Sequence, residues 1–486
     1  MKKKFILNLI LLIGLNLIIK PFWLFGIDIG VQNAVGAETY GFYFALFNFT
    51  FLFNILLDMG ISNFNNRNIA QNKHLLGKHF SKIITLRFLL GFFYAGVTLL
   101  IAWLVGYDKA QFSLIYILIF NQFLSGLILY LRSNIAALLL FKTDSFLSIT
   151  DRSLMILFCA ILLWSPFIKQ PFQIEWFVYA QTVAYLVTAA IAFTIVARKS
   201  HFLKLNFDKV FMLMILKKSF PFALLTLLMS FYNRIDSVMI ERILPVGIAD
   251  YQAGIYASAY RFLDAFVMIA VLFAVLLLPL FSKMLKEKIN IQPIVISSFN
   301  LLIFFSVTSV LCLSVYAENI MSLLYKSHFS ESSQVFIFLI PALIPISMSY
   351  IFGTLLTANG NLKQLNIIAF IGIGINLILN FILIPKFGAQ GAAITGLATQ
   401  SSVFIAQFFL VFKIFKLPFS SLKFFNVILY IASLVLIVIV VKNFIPLEWF
   451  IQLFIIGFTA CILAILSGLI NIKEIRQLFY FKKVYE

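Results

Sequence analysis

Charge is scarce in this sequence, and acid is scarcer than base. Asp and Glu number 18 against 37 Lys and Arg, and charged residues make up 11% of the 486 positions. A soluble globular chain carries about 25%. No polar stretch runs much beyond about 20 residues, so no sizeable water-soluble domain fits. The three cysteines, Cys159, Cys312 and Cys461, all fall inside apolar runs, which argues for packed thiols and against disulfides or metal ligation. Four dispersed histidines (His74, His79, His201, His328) offer no zinc spacing. A glycine-rich phosphate loop with its lysine is missing, as is the HExxH motif, and no outside loop is large enough to hold an acid/base pair. An ATP-driven mechanism within the chain is thereby disfavoured, and no enzyme activity, cofactor or metal is expected.

Hydrophobicity is what the chain has in abundance. Apolar residues reach 62%, with 58 phenylalanines and a mean hydropathy of +1.04, the composition of an all-α polytopic membrane protein. About 20 residues at 1.5 Å rise cross a bilayer core. On that measure fourteen spans are predicted, over 5–27, 40–60, 83–106, 112–136, 146–166, 174–197, 219–241, 253–281, 293–316, 335–357, 364–384, 389–412, 424–441 and 449–471. The opening Lys2-Lys3-Lys4 and apolar run resemble a signal peptide. The run lacks a small-residue cleavage site and continues through Lys20-Pro21, so a retained first span is expected.

The net charge of +19 would suggest nucleic acid in a soluble protein, but its placement says otherwise. Alternate loops and span ends collect the cations: Lys2 to Lys4, Arg67, Lys73, Lys78, Lys82, Lys142, Arg152, Arg198, Lys199, and so on to the tail with Lys473 and Arg476. The intervening loops hold only Lys109, Lys169, Arg242, Lys326, Lys386 and Lys442. Cytoplasmic loops carry this excess, so both termini are expected in the cytoplasm.

Five cations fit neither set: Lys20, Arg87, Arg132, Arg234 and Arg261. Arg87 sits near a span end, from which it can snorkel to the interface. The other four are deeper, where a charge costs about 2.5–3.5 kcal/mol on insertion scales and usually faces a watery cavity or a partner. Arg234 and Asp236 lie roughly 200° apart around a helix and cannot pair within it. Arg261 and Asp264 share a face, so an intrahelical pair competes with a binding role. Lys20 precedes Pro21, which removes a backbone donor and can kink the helix; pairing of Lys20 with Asp28 is the alternative to a cavity role. Asp58 ends span two in a Leu-Leu-Asp-Met-Gly run, where a coupling role competes with a cheap interfacial carboxylate. Asn376 and Asn380, four apart on span eleven, read as glue between helices.

The chain also repeats itself. Lys4 to Lys20 and Lys218 to Arg234 are both 16 residues, and each leads into a matching glycine context, Tyr40-Gly41-Phe42-Tyr43 and Ala253-Gly254-Ile255-Tyr256. Two halves offset by about 214 residues are a recurring build of secondary transporters. Spans thirteen and fourteen carry no buried charge and read as an appended pair.

Three blocks carry a family resemblance. SFPFALLTLLMSFYNRIDSVMI with GIYASAYRFLDAF and PLFSKML, YGFYFALFNFTFLFNILLDMGISNFNNRNIA, and GNLKQLNIIAFIGIGINLILNFILIPKFGAQGAAITGLATQ together resemble the polysaccharide-type branch of the multidrug/oligosaccharidyl-lipid/polysaccharide (MOP) exporter superfamily. The resemblance runs from residue 5 to about residue 415 and leaves spans thirteen and fourteen unmatched. It implies two pseudo-symmetric six-helix lobes around a central cavity, 1–200 and 201–416, with residues 417–486 adding a helical pair and a cytoplasmic tail. It further implies an oligosaccharide flippase that moves an undecaprenyl-pyrophosphate-linked sugar unit to the outer leaflet of the bacterial cytoplasmic membrane by alternating access. The positions that fit pyrophosphate binding are Lys20, Arg132, Arg234 and Arg261, with Asp58, Asp236 and Asp264 fitting ion coupling or gating. Expected partners are the lipid-linked substrate, membrane lipids, and the polymerase and glycosyltransferases of the same pathway, with the chain itself a monomer. A lipid II flippase shares the polyprenol-pyrophosphate handle. A drug/cation antiporter would want acidic cavity residues, and a polytopic glycosyltransferase or polysaccharide polymerase would need a large outside loop bearing catalytic groups.

Overall fold

The computed structural model describes residues 14, 15, 18–62, 69, 75–138, 140–166, 170–200, 204–417 and 424–470. Residues 5–13 of the first span, Arg67 and the tail cations lie outside the described residues, as do Lys2 to Lys4, Lys73 and Lys169. Twelve described stretches are long and apolar enough to cross a membrane. Two of them, Ile18–Asp58 and Leu362–Phe415, contain a break at a glycine, Gly36 (φ 84°, ψ 166°) and Gly388 (φ 55°, ψ −132°). Positive φ there suits glycine, which has no Cβ to clash. Leu362–Phe415 covers spans eleven and twelve, and Ile18–Asp58 holds the described end of span one together with span two up to Asp58, so each of the fourteen is represented among the described residues. Large apolar side chains such as Phe92, Phe370, Phe425 and Phe454 are exposed on these helices, as a lipid-facing surface requires.

The chain packs as two compact units, Met1–Gly254 and Ile255–Glu486. In the first, Pro21 introduces a π-helical turn, Phe22–Asp28, and the kink expected at that proline takes this form. A missing N–H at Pro21 leaves the preceding turn short of a donor, and the wider π register accommodates it. The helices of this unit are α1 (Ile29–Leu52), α2 (Ile55–Asp58), α3 (Leu75–Val105), α4 (Lys109–Ala137), α5 (Phe141–Trp164), α6 (Ile174–Ser200) and α7 (Lys209–Ile243). It closes with the first residues of α8 (Ala249–Lys286). Asp108 opens α4 with a capping box: its carboxylate accepts from Gln111 N at 2.8 Å, and the Gln111 side chain accepts from Asp108 N at 2.9 Å. Asp208 caps α7 by accepting from Phe211 N at 3.0 Å, and it receives Lys82 Nζ at 2.6 Å. The lysine, with the backbone donors behind it, holds the Asp208 carboxyl below its ordinary value.

α4 packs on α6, and α1 on α4 and α7. The two glycines matched by the internal repeat meet here. A Cβ on Gly41 would overlap the Asp250 carbonyl and Gly254 N, while one on Gly254 would overlap the Ala37 carbonyl. Backbone contact at this distance is how small residues draw membrane helices together. Gln32 Nε2 donates to the Gly254 carbonyl at 3.0 Å across the same junction.

The second unit continues α8 and adds α9 (Gln292–Val315), α10 (Ala317–Leu324), α11 (Phe329–Leu339), α12 (Leu343–Ala358), α13 (Leu362–Phe415), α14 (Phe424–Phe444) and α15 (Trp449–Leu466). α12 packs against α9 and α13. Asn376 and Asn380 are fully buried on α13, with Asn380 Nδ2 donating to Asn376 Oδ1 at 3.0 Å. The appended pair α14 and α15 packs on α9 with two polar links, Thr308–Tyr430 at 2.6 Å and Tyr316 Oη to Gln452 Oε1 at 2.7 Å. Such bonds keep buried hydroxyls satisfied where no water reaches.

Candidate functional site

Cations inside apolar helices are the chemistry this sequence offers, and the first unit treats them in two ways. Arg87, twelve residues into α3, does not snorkel. It is 2% exposed, and both of its terminal nitrogens are engaged. Its Nη1 donates to the Leu57 carbonyl at 2.6 Å and its Nη2 to the Ser62 hydroxyl at 2.6 Å and to the Asp58 carboxylate, while its guanidinium lies 5.0 Å from the Tyr130 ring. Asp58 accepts from Ser62 Oγ as well, at 2.5 Å. The reason is local: α2 ends at Asp58, and the Leu57 carbonyl and Asp58 carboxylate close on α3 from the side. A buried charge paired and hydrogen-bonded in this way is a structural knot.

Lys20, Arg132 and Arg152 are arranged differently. Lys20 is half-buried just ahead of the π-helical turn, and among the described residues no carboxylate lies within ion-pair distance of it. Asp28, the alternative partner, is buried and accepts from Tyr40 Oη at 2.8 Å. The charges that act on Lys20 are those of Arg152 and Arg132, which repel it, and of Asp151, which attracts it. Arg132 Nε meets Asp144 Oδ1 at 2.9 Å, a pair between α4 and α5 whose side chains are 25% and 13% exposed. By sequence Arg152 groups with the cytoplasmic span ends. Because α5 begins at Phe141, Arg152 lies eleven residues along the helix, near its middle. Its guanidinium sits 5.4 Å from the Trp23 ring, and Asp151 is only a loose partner at 3.9 Å. The structure therefore brings two of the expected residues, Lys20 and Arg132, together with one that was not expected.

Of the remaining candidates, Arg234 and Asp236 are carried on α7, and Arg261 and Asp264 on the part of α8 in the second unit. Arg234 is half-buried on α7 with its guanidinium 5.4 Å from the Phe51 ring of α1. Asp236, two residues on, is 3% exposed. Arg261 and Asp264 are both half-buried, one turn apart on α8 in the second unit. At the far end of α7, Arg242 chelates Glu241 at 2.6 and 2.8 Å and reaches Gln111 Oε1 at 3.0 Å, with the Tyr107 ring 3.8 Å from its guanidinium. Gln111 Nε2 donates back to Glu241 at 2.7 Å, so this end of α7 is tied to the start of α4.

A cation cluster on three elements, partly exposed and short of carboxylates at Lys20, is suited to a multiply charged oxyanion. Among the described residues no group of three or more His, Cys, Asp or Glu is placed to hold a metal ion.

Known proteins share this family and this fold. A family model described as "Polysaccharide biosynthesis protein" matches residues 7–285. No curated protein sequence matches the chain. Among solved structures, the lipid II flippase MurJ in an inward closed conformation is similar with a TM-score of 0.70 and 16% identity, covering 98% of this chain and 100% of that one. An inward-facing multidrug resistance MATE family transporter of the MOP superfamily is similar at a TM-score of 0.63 and 14% identity, covering 80% and 93%. A MOP superfamily transporter from Pyrococcus furiosus, noted for the reverse polarity of its binding pocket, is similar at 0.59 and 11%, covering 83% and 93%. At these identities the likeness is one of fold.

Proposed function

Because the chain belongs to the polysaccharide biosynthesis protein family and has the fold of the MOP transporters, we propose that it is a flippase for an undecaprenyl-pyrophosphate-linked oligosaccharide. It takes the O-antigen, capsule or exopolysaccharide repeat unit from the inner to the outer leaflet of the bacterial cytoplasmic membrane by alternating access, with both termini in the cytoplasm. The observation that carries this reading is Lys20, a half-buried ammonium without a carboxylate partner among the described residues and with two arginines close by. Bringing these charges together in an apolar protein is unfavourable until an anion joins them, and the substrate's pyrophosphate is that anion. Arg132 and Arg234 serve the same headgroup, and Arg261 is likewise assigned to phosphate binding. Asp236 and Asp264 are assigned to ion coupling or gating, and Asp58, committed to Arg87, to gating.

Likeness to MurJ favours a second reading, lipid II as the cargo, since it presents the same pyrophosphate-polyprenol handle. Replacement of Lys20 by Ala in the native host tests the function. Lipid-linked oligosaccharide then accumulates on the cytoplasmic leaflet and surface polysaccharide falls, with Lys20→Arg retaining most of both. Accumulation of lipid II instead selects the second reading, and normal surface polysaccharide with no accumulated intermediate refutes both.

A further inference from the structure

Arg152 is hard to justify as packing. It lies in the middle of α5, where an unrecompensed charge costs about 2.5–3.5 kcal/mol on insertion scales. Unlike Arg87, it is not consumed by its neighbours. Its side chain is 32% exposed, its contact with Asp151 Oδ2 is 3.9 Å long, and its Nη1 donates to the Met155 sulfur at 3.7 Å. Tyr185, almost wholly buried, accepts one hydrogen bond from it.

What fixes Arg152 is an aromatic ring. Trp23 is carried on the π-helical turn, and α5 packs against that turn. One face of the indole stacks on Phe177 of α6, with centroids 5.7 Å apart and planes 4° apart; the guanidinium lies 5.4 Å from its centroid. Phe177 is itself wedged edge-on by Tyr43 at 5.3 Å, and Tyr43 Oη accepts from Gln181 Nε2 at 3.0 Å. This is a rigid platform built from α1, α6 and the π-helical turn. A guanidinium held through a ring keeps its in-plane N–H fork for an oxyanion, whereas one held by carboxylates does not.

We propose that Arg152 is a phosphate-binding residue, that Trp23 is its positioning residue, and that with Lys20 and Arg132 they make this site selective for a diphosphate over a monophosphate. This rests on the flippase reading and deepens it. Three cations on three separate elements suit two linked phosphoryl groups, which can be shared between them, while a single phosphate engages one fork at a time. Asp144 and Asp151 act as placeholders that Arg132 and Arg152 release when the diphosphate arrives.

Trp23 also serves as a reporter. In the full-length protein in detergent, Trp103, Trp164, Trp176 and Trp449 are changed to Phe, which leaves Trp23 as the sole indole. Inorganic pyrophosphate, and separately inorganic phosphate, is then titrated while Trp23 emission is read and binding heat is measured in parallel. The expected midpoint for pyrophosphate is at least about tenfold below that for phosphate. Arg152→Lys, which keeps the charge, erases the emission response and the discrimination. Lys20→Ala weakens the midpoint but keeps the response, and Trp23→Leu, read by binding heat, loses discrimination that Trp23→Phe retains. Should binding heat be present and sensitive to Lys20→Ala while Trp23 emission stays constant, or should Arg152→Lys discriminate as the parent does, this inference fails and the flippase reading stands. Absence of any binding heat, together with normal surface polysaccharide in Lys20→Ala cells, defeats both.

Discussion

Arg87 and Lys20 are basic side chains in apolar helices of one structural unit, and their surroundings could hardly differ more. The first gives its donors to Leu57, Asp58 and Ser62 and lies close to the Tyr130 ring. The second meets two like charges and, among the described residues, pairs with no carboxylate. Burial alone therefore does not separate a structural cation from a binding one. What separates them is whether the fold has already supplied the counter-charge.

Breaking the knot gives the largest effect expected. Arg87→Ala strands the Asp58 carboxylate and removes about 3–5 kcal/mol of stability, read as a fall in Tm in detergent. The double change Arg87→Met with Asp58→Leu recovers most of that loss, because neither charge is then left alone. Gly41→Ala comes next. Its methyl group would run into the Asp250 carbonyl, and forcing α1 from α8 costs about 1–3 kcal/mol by thermal unfolding. Lys20→Ala is the counterpart on the other side of the comparison: Tm shifts by the equivalent of less than about 1 kcal/mol while flipping falls at least tenfold. If Lys20→Ala unfolds the protein as Arg87→Ala does, the distinction between the two sites is lost.

Smaller effects sharpen the contrast. Asp144→Asn frees Arg132 from its pair and is expected to tighten pyrophosphate binding by a few-fold in calorimetry, since a carboxylate no longer competes. Asp208, an exposed cap held by Lys82, provides the mildest case. Its carboxyl titrates below the ordinary value, so its contribution is present above about pH 4 and fades as pH falls through the lower folded value. Melting curves of Asp208→Asn and the parent accordingly differ slightly at pH 7 and converge in acid.

Much of this was legible in the sequence. Apolar runs and the alternation of Lys and Arg between loops predicted the spans, and Pro21 marked the kink at which the π-helical turn forms. Matching glycine contexts at Gly41 and Gly254 were visible as a repeat; that the two glycines meet was not, because one-dimensional similarity carries no distance. Arg152 was misplaced because Lys142, Thr143 and Asp144 look like a loop, whereas α5 starts before them and carries Arg152 to mid-helix. Arg87 misled in the same way, since α3 begins at Leu75, ahead of the apolar run that marked its span. The usable signal was Asp58, an acid at the end of the preceding span and so within reach of Arg87. Trp23 had no sequence signal at all, because its role depends on Phe177 and Arg152 arriving from distant helices.

The central claim is that Lys20 and its neighbouring arginines hold the pyrophosphate of the lipid-linked sugar. Its most direct test is the affinity of the purified full-length protein, with thermal unfolding as a check on integrity, for undecaprenyl-pyrophosphate-linked oligosaccharide in the parent and in Lys20→Ala. The account predicts at least about tenfold weaker binding in a variant that melts like the parent. Equal affinity in the two would contradict it.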